Sequence, residues 1–280
     1  MDKTKKRLYI QALGALALNG KLSNFFSGKI YQGQLKSICV PALNCYSCPG
    51  ALGSCPIGSL QALLSNPRQK VVSYLVGTLL LYGLLLGRWF CGFLCPFGFF
   101  QDLLSGIKKR KFHVLPKIDS YLRYIKYLVL LIFVIAIPIF TSKGSLPGIP
   151  GFCKFLCPSG TLFAGLPLLG KNPILQTNIG SLFYLKLSLA ILTCIGALLI
   201  PRFFCRYICP LGGLFGLLNP FSLYHMVYDK TSCIQCKKCK KNCPMAIDPT
   251  LAQNSPECIR CKECVYQCPT QSLFFTFHLK

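Results

Sequence analysis

Cysteine carries most of the chemistry open to this chain. Nineteen cysteines stand among 280 residues, against seven carboxylates and three histidines. Two runs near the C-terminus share one spacing. Cys233-x2-Cys236-x2-Cys239-x3-Cys243-Pro244 recurs as Cys258-x2-Cys261-x2-Cys264-x3-Cys268-Pro269. Three thiolates at this spacing can converge on one face of a cubane, and the proline turns the chain away. In such a doubled run the fourth cysteine ligates the other cluster. The pattern assigns Cys233, Cys236, Cys239 and Cys268 to one [4Fe–4S] cluster. Cys258, Cys261, Cys264 and Cys243 form the second set. Zinc would use two separated Cys-x2-Cys units and has no need of the third cysteine. Disulfides do not suit a reducing compartment.

A second motif lies in apolar surroundings. Cys91-x3-Cys95-Pro96 matches Cys205-x3-Cys209-Pro210, within the longer matching stretches 87–98 and 201–212. Each cysteine pair is spaced by about one helical turn. Each proline falls at a first helical position, where its missing N–H costs nothing. A negatively charged cluster there meets free backbone N–H groups and the positive end of a helix dipole. These four thiolates are candidates for one inner cubane, and buried packing thiols are the alternative. Cys39, Cys45, Cys48, Cys55, Cys153 and Cys157 form an outer set. Six cysteines exceed one cubane by two, so cluster ligands and disulfides both remain open. Cys194 stands alone in an apolar run and reads as a packing thiol.

The elements that must position these residues are apolar helices. Apolar residues make up 52% of the chain and charged residues 14%, against roughly 25% charged in a soluble domain; mean hydropathy is +0.49. Leu8–Gly20, Val71–Gly87, Tyr127–Ser142 and Leu187–Pro201 are candidate spans, each flanked by Lys or Arg. Each falls short of the ~20 residues a span needs, and snorkelling flanks lengthen the usable helix. Cys-Pro-x-Gly occurs at Cys55, Cys95, Cys157 and Cys209. This repetition indicates two duplicated halves, roughly 39–105 and 150–219. The expected organisation is a membrane domain over 1–228 and a polar, cysteine-rich domain over 229–280. The fold class is then an all-α integral membrane domain of about four transmembrane helices, joined to a small α+β two-cluster bacterial ferredoxin domain.

Lys and Arg number 31 against 7 acids, for a formal charge of +24. The basic residues flank apolar runs or cysteine clusters and form no stripe with aromatics, which argues against nucleic acid. The positive-inside rule places both termini and the Lys108–Lys126 loop in the cytoplasm, with about 27–66 and 144–180 outside. No carboxylate lies within a long apolar run, so no proton relay is legible. His113, His225 and His278 lie outside mid-span positions, so no haem is expected. Trp89 reads as an interfacial anchor. Lys237, Lys238, Lys240 and Lys241 flank the first cysteine run, where they offset cluster charge or receive an acidic donor.

Apolar spans, paired Cys-x3-Cys-Pro motifs and a terminal doubled cysteine run resemble the polyferredoxin-type membrane proteins of the NapH/MauN and NosR kind. The resemblance covers roughly residues 70–280. The Asn44–Gly50 and Gly53–Gly58 stretches resemble a four-span subgroup with an extra N-terminal cysteine-rich segment. The resemblance implies [4Fe–4S] clusters and electron transfer between a cytoplasmic or quinone donor and an extracytoplasmic partner, a flavin or haem protein. It implies lipid as surroundings and an electron-transfer component rather than a stand-alone enzyme. A quinol dehydrogenase or membrane reductase subunit with its own small-molecule site is the alternative. A membrane scaffold or metal store is the reading outside redox chemistry. Reporter fusions at Lys280 and within Gly144–Gly151 should report opposite sides of the membrane; the same side for both would overturn the four-span topology.

Overall fold

The computed structural model describes residues 3–66, 72–107, 112, 114–142 and 146–277. Asp2, Lys70, Val71, Lys108, His113, Lys143, Gly144, His278 and Lys280 lie outside the described residues. The chain is mostly helical. Two helices, Pro116–Thr141 and Ser181–Leu199, are long and apolar enough to cross a membrane. Only 28% and 17% of their most apolar stretches are buried. A core helix of a soluble protein would hide that surface, whereas lipid solvates it. Ser73–Leu86 is apolar but shorter, as is the Lys3–Leu18 helix.

The third helix begins further back than the apolar run suggested, at Pro116 rather than beside Tyr127. Lys126, read as a flank in contact with water, is wholly buried and paired with Glu257. A π-helical stretch, Leu130–Ala136, precedes Pro138 in the same helix. A proline removes one helical donor, and a wider turn accommodates the break.

Four further helices start from the Cys-Pro-x-Gly motifs. Pro56–Ser65, Pro96–Ile107 and Pro210–Leu218 each open with proline at the first turn and cysteine at the N-cap. The fourth opens at Pro158 with Cys157 as its cap. Pro96–Ile107 packs between the Lys3–Leu18 and Ser181–Leu199 helices. Pro210–Leu218 packs on the long third helix.

The C-terminal part contains two short helices and one antiparallel strand pair, Tyr224–Tyr228 with Leu273–Phe277. The first strand precedes residue 229, where the sequence pattern opened this domain. The backbone ladder between the two ends of this segment, not the cysteine run, sets where the sheet begins. The two cysteine runs adopt matching backbones. Positive φ occurs at Gln235 and Lys237 in the first run, and at Arg260 and Lys262 in the second. Ala246 and Gln271 repeat it three residues after each fourth cysteine. Alternating left-handed residues turn successive N–H groups inward, forming concavities suited to anions.

Buried ions tie the parts together. Asp102 accepts from Arg202 Nε at 2.9 Å and Nη2 at 2.6 Å, from Arg7 Nη2 at 3.0 Å and from Gln11 Nε2 at 2.9 Å. Removing one partner from such a network leaves uncompensated charge in a low dielectric, a loss of about 3–5 kcal/mol. Asp102→Ala should therefore lower unfolding stability by about that much, read as an earlier melt in detergent. A melt unchanged from the parent would show the network to be dispensable.

Candidate metal centres

The sequence-derived cysteines fall into four groups in space. Cys91, Cys95, Cys205 and Cys209 are all buried and come from two segments over 100 residues apart. Burial pushes the Cys95 thiol up to about 12, with Cys205 and Cys91 adding repulsion. Burial, then Cys205, Cys91 and Cys95, raises Cys209. The cap geometry anticipated from the prolines is present: Gly98 N–H and Gly212 N–H donate to the thiols of Cys95 and Cys209, each at 3.4 Å.

The outer six divide. Cys45, Cys55, Cys153 and Cys157 line one cavity of about 330 Å³. Burial raises Cys55 to about 11 and Cys153 to about 12, with the other thiols of this set contributing. Cys48 shares a turn with Cys45 but does not line the cavity, and its thiol donates to Asn19 Oδ1 at 3.6 Å. Cys39 is buried in the core, where burial and then Cys55 raise it to about 12. No disulfide links any of the six, and Cys39 and Cys48 are the two that do not line this cavity. Cys194 lies on the Ser181–Leu199 helix.

The C-terminal runs exchange their last members. Cys268 joins Cys233, Cys236 and Cys239 around an open cavity of about 480 Å³. Cys243 joins Cys258, Cys261 and Cys264 around a much smaller space of about 20 Å³. The first set is the accessible one, with Cys236 exposed. Cys268 there is held below its usual value: burial opposes this, but the Ser272 and Thr270 hydroxyls outweigh it. In the second set Cys258, Cys261 and Cys264 are buried and Cys243 is half-buried, and burial raises Cys243 to about 12 and Cys258 to about 11.

Crowded buried thiols resist ionising on their own, and bound cations reverse that balance. Among the described residues, no three Cys, His, Asp or Glu side chains meet closely enough to hold one ion. Four thiols that share a space without meeting at a point fit a polynuclear cluster better than a lone zinc ion.

Several residues of these centres escaped the sequence reading. Arg88 and Arg202 read as flanks of apolar spans, yet both are wholly buried. They cross between the halves: Arg202 Nη1 donates to the Cys91 carbonyl at 2.5 Å, and Arg88 Nη2 to the Cys205 carbonyl at 3.3 Å. Their equal offset, three residues before Cys91 and Cys205, was the available signal. Gln61 and Gln101, each six residues after a Cys-Pro-x-Gly cysteine, donate to Cys153 and Cys205 thiols at 3.2 and 3.0 Å. Trp89, read as an interfacial anchor, stacks on Phe93 at 5.0 Å between centroids.

The second C-terminal set abuts the inner one. A Cβ built on Gly92 would lie 2.5 Å from the Ile259 carbonyl and 3.5 Å from Cys261 Cα. Arg88 also pairs with Glu257 and donates to the Pro256 carbonyl at 2.8 Å. Burial works against the Glu257 carboxylate, but Arg88 and Lys126 hold it below the usual range.

Comparison with known proteins follows the same division. A 4Fe-4S binding domain model matches residues 54–74, 71–114 and 182–223. A 4Fe-4S dicluster domain model matches 225–269. The putative electron transport protein YccM of Escherichia coli is 30% identical over 173 residues, 59% of this chain and 43% of that protein. The ferredoxin-type protein NapH of Escherichia coli is 26% identical over 207 residues, 72% of this chain and 64% of that protein. These matches support a NapH-like polyferredoxin family for the chain. The 4Fe-4S models fall on the mostly helical body and on the cysteine-rich terminal segment, and the named relatives include an electron transport and a ferredoxin-type protein. An uncharacterized protein of Methanocaldococcus jannaschii is 29% identical over 58% of this chain and 53% of its own length. The match thus spans 43% to 64% of the length of these relatives. No solved structure matches the chain.

Gly92 gives a test of the docking that needs no cofactor. Its neighbours are backbone atoms, which cannot swing aside. Gly92→Val should raise amide hydrogen exchange over Pro256–Glu263 while the Tyr224–Tyr228 strand keeps its protection. Unchanged exchange over Pro256–Glu263 would place the contact elsewhere.

Proposed function

We propose that this protein is a multi-pass membrane electron conduit with four [4Fe–4S] sites in series. The accessible set is Cys233, Cys236, Cys239 and Cys268. The buried C-terminal set is Cys258, Cys261, Cys264 and Cys243. The inner set is Cys91, Cys95, Cys205 and Cys209. The outer set is Cys45, Cys55, Cys153 and Cys157. When bound, such clusters supply one-electron chemistry, and the protein sets spacing, burial and potential.

One observation carries the series. The Lys3–Leu18 helix touches each level in turn. Arg7 pairs with Glu263 beside the buried C-terminal set. Gln11 donates to the Gly92 carbonyl beside the inner set at 2.9 Å. The Leu18 carbonyl accepts from Asn44 and Leu52, next to the outer set. At ~1.5 Å per residue, the three contacts lie within about 17 Å along one axis. The Leu43 N–H reaches the Cys95 thiol, and Leu43 also lines the outer cavity. Short steps of this kind suit a conduit.

The accessible set serves the cytoplasmic partner. Lys237, Lys238, Lys240 and Lys241 lie beside Cys236 and Cys239 and suit an acidic donor such as a ferredoxin. The outer set serves an extracytoplasmic flavin or haem protein. Four spans with both termini inside put the two sets on the corresponding sides. A second reading, a reductase subunit with its own small-molecule site, is favoured by an open cavity of about 830 Å³ that reaches Cys55 and Cys153.

The full chain, purified anaerobically, should hold about 16 irons, and a chain ending before Leu223 about eight, at four irons per cluster. Cys91→Ala and Cys205→Ala should abolish one and the same reduced EPR signal. Cys55→Ala and Cys157→Ala should abolish another. Cys39→Ala and Cys48→Ala should leave both. About eight irons per full chain, unchanged in Cys91→Ala and Cys55→Ala, would confine the redox centres to the terminal segment and end the transmembrane reading.

A further inference from the structure

We propose that Gln61 and Gln101 are a matched pair of positioning residues that tune the outer and inner sites through one amide-to-thiolate hydrogen bond each. This rests on the proposal that both sites hold [4Fe–4S] clusters. The two side chains are wholly buried and occupy equivalent places, Cys55-Pro-Ile-Gly-Ser-Leu-Gln61 and Cys95-Pro-Phe-Gly-Phe-Phe-Gln101. Each reaches into the opposite half of the chain.

Their hydrogen bonds coincide partner by partner. Gln101 Nε2 donates to Cys205 Sγ at 3.0 Å and to the Phe97 carbonyl at 3.3 Å, and Oε1 accepts from Phe204 N–H at 3.0 Å. Gln61 Nε2 donates to Cys153 Sγ at 3.2 Å and to the Ile57 carbonyl at 3.1 Å, and Oε1 accepts from Phe152 N–H at 2.9 Å. The amide orientation follows from these partners. A backbone N–H only donates and a carbonyl only accepts. The oxygen must therefore face Phe204 or Phe152, which leaves a nitrogen hydrogen for the sulfur.

A packing role alone does not require this arrangement. Glutamine has four hydrogen-bonding positions, and burying it without partners is costly. The equivalent positions in the second half are Phe163 and Phe215. Each site thus receives one such amide, always on the first cysteine of the Cys-x3-Cys pair from the second half. Donors aimed at thiolate sulfur stabilise the more negative, reduced state of a cluster and raise its potential. The side-chain amide also makes the Cys205 and Cys153 corners distinct from corners such as Cys95 and Cys209, which receive backbone N–H groups.

The test uses the full chain in detergent under anaerobic conditions, with potentials read by EPR-monitored redox titration. Signals are assigned to the inner and outer sites by their loss in Cys91→Ala and Cys55→Ala. Gln101→Glu keeps an acceptor for Phe204 N–H and removes the donor; Gln101→Met removes both at similar volume. Both should lower the inner potential with iron content retained. The expected size is roughly tenfold in the one-electron reduction constant, about 59 mV. The outer potential should stay fixed. Gln61→Glu and Gln61→Met should do the reverse. Unshifted potentials with full iron would overturn the tuning role and leave the conduit intact. Loss of the signal in both variants of one glutamine would make that residue structural and likewise overturn it. A parent chain without clusters at Cys91 or Cys55 would sink the underlying reading as well.

Discussion

Two guanidinium groups that no water reaches hold this molecule together. Arg88 and Arg202 each cross to the carbonyl of a cysteine in the opposite half. Such a cation survives burial only when opposite charge and acceptors surround it. The rest of the architecture answers that demand. Arg202 takes Asp102, and Asp102 in turn draws in Arg7 and Gln11 from the N-terminal helix. Arg88 takes Glu257, which comes from the terminal cysteine-rich segment and is shared with Lys126 of the long helix. Satisfying two arginines therefore recruits the N-terminal helix, the third helix and the cysteine-rich segment to one centre.

The same centre explains why one hydrophobic core runs through parts that look separable in sequence. Met245, Ile259 and Cys261 of the terminal segment belong to the core that also holds Leu75, Val134, Phe97 and Phe215. Asn219 adds to the seam, donating to the Ser255 and Cys258 carbonyls at 2.7 and 3.1 Å. A bound soluble module would meet its host through a polar, exposed seam. Here the seam is buried, and the ferredoxin-like segment is part of the interior.

Much of this was legible in the cysteines, for a physical reason. A spacing of two or three residues limits where thiols can point, so local sequence constrains local geometry. Proline after cysteine fixed the helix starts at Pro56, Pro96, Pro158 and Pro210 in the same way. What escaped notice were partners set by the tertiary fold. Glu257 lies 169 residues from Arg88, and Asp102 lies 100 from Arg202. Nothing local distinguishes such arginines from snorkelling flanks at the end of a span. The division of the outer set was hidden likewise. Cys45 and Cys48 sit on one short turn, and only the approach of Cys153 and Cys157 separates them. Gln61 and Gln101 were visible as a repeat, but an amide in an apolar helix has no chemical signature until its partners are known.

The buried seam also dictates an order of assembly. Cys258, Cys261 and Cys264 are each less than a tenth exposed, and so are the inner four cysteines across the seam. Once Gly92 and Ile259 close against each other, no scaffold protein carrying a preformed cluster can reach either set. On the four-cluster proposal, cofactor loading precedes the closing of the fold. The cysteine-rich segment, which follows the inner cysteines in the chain, is suited to act as a plug: it can be matured while free and then seal what was loaded before it.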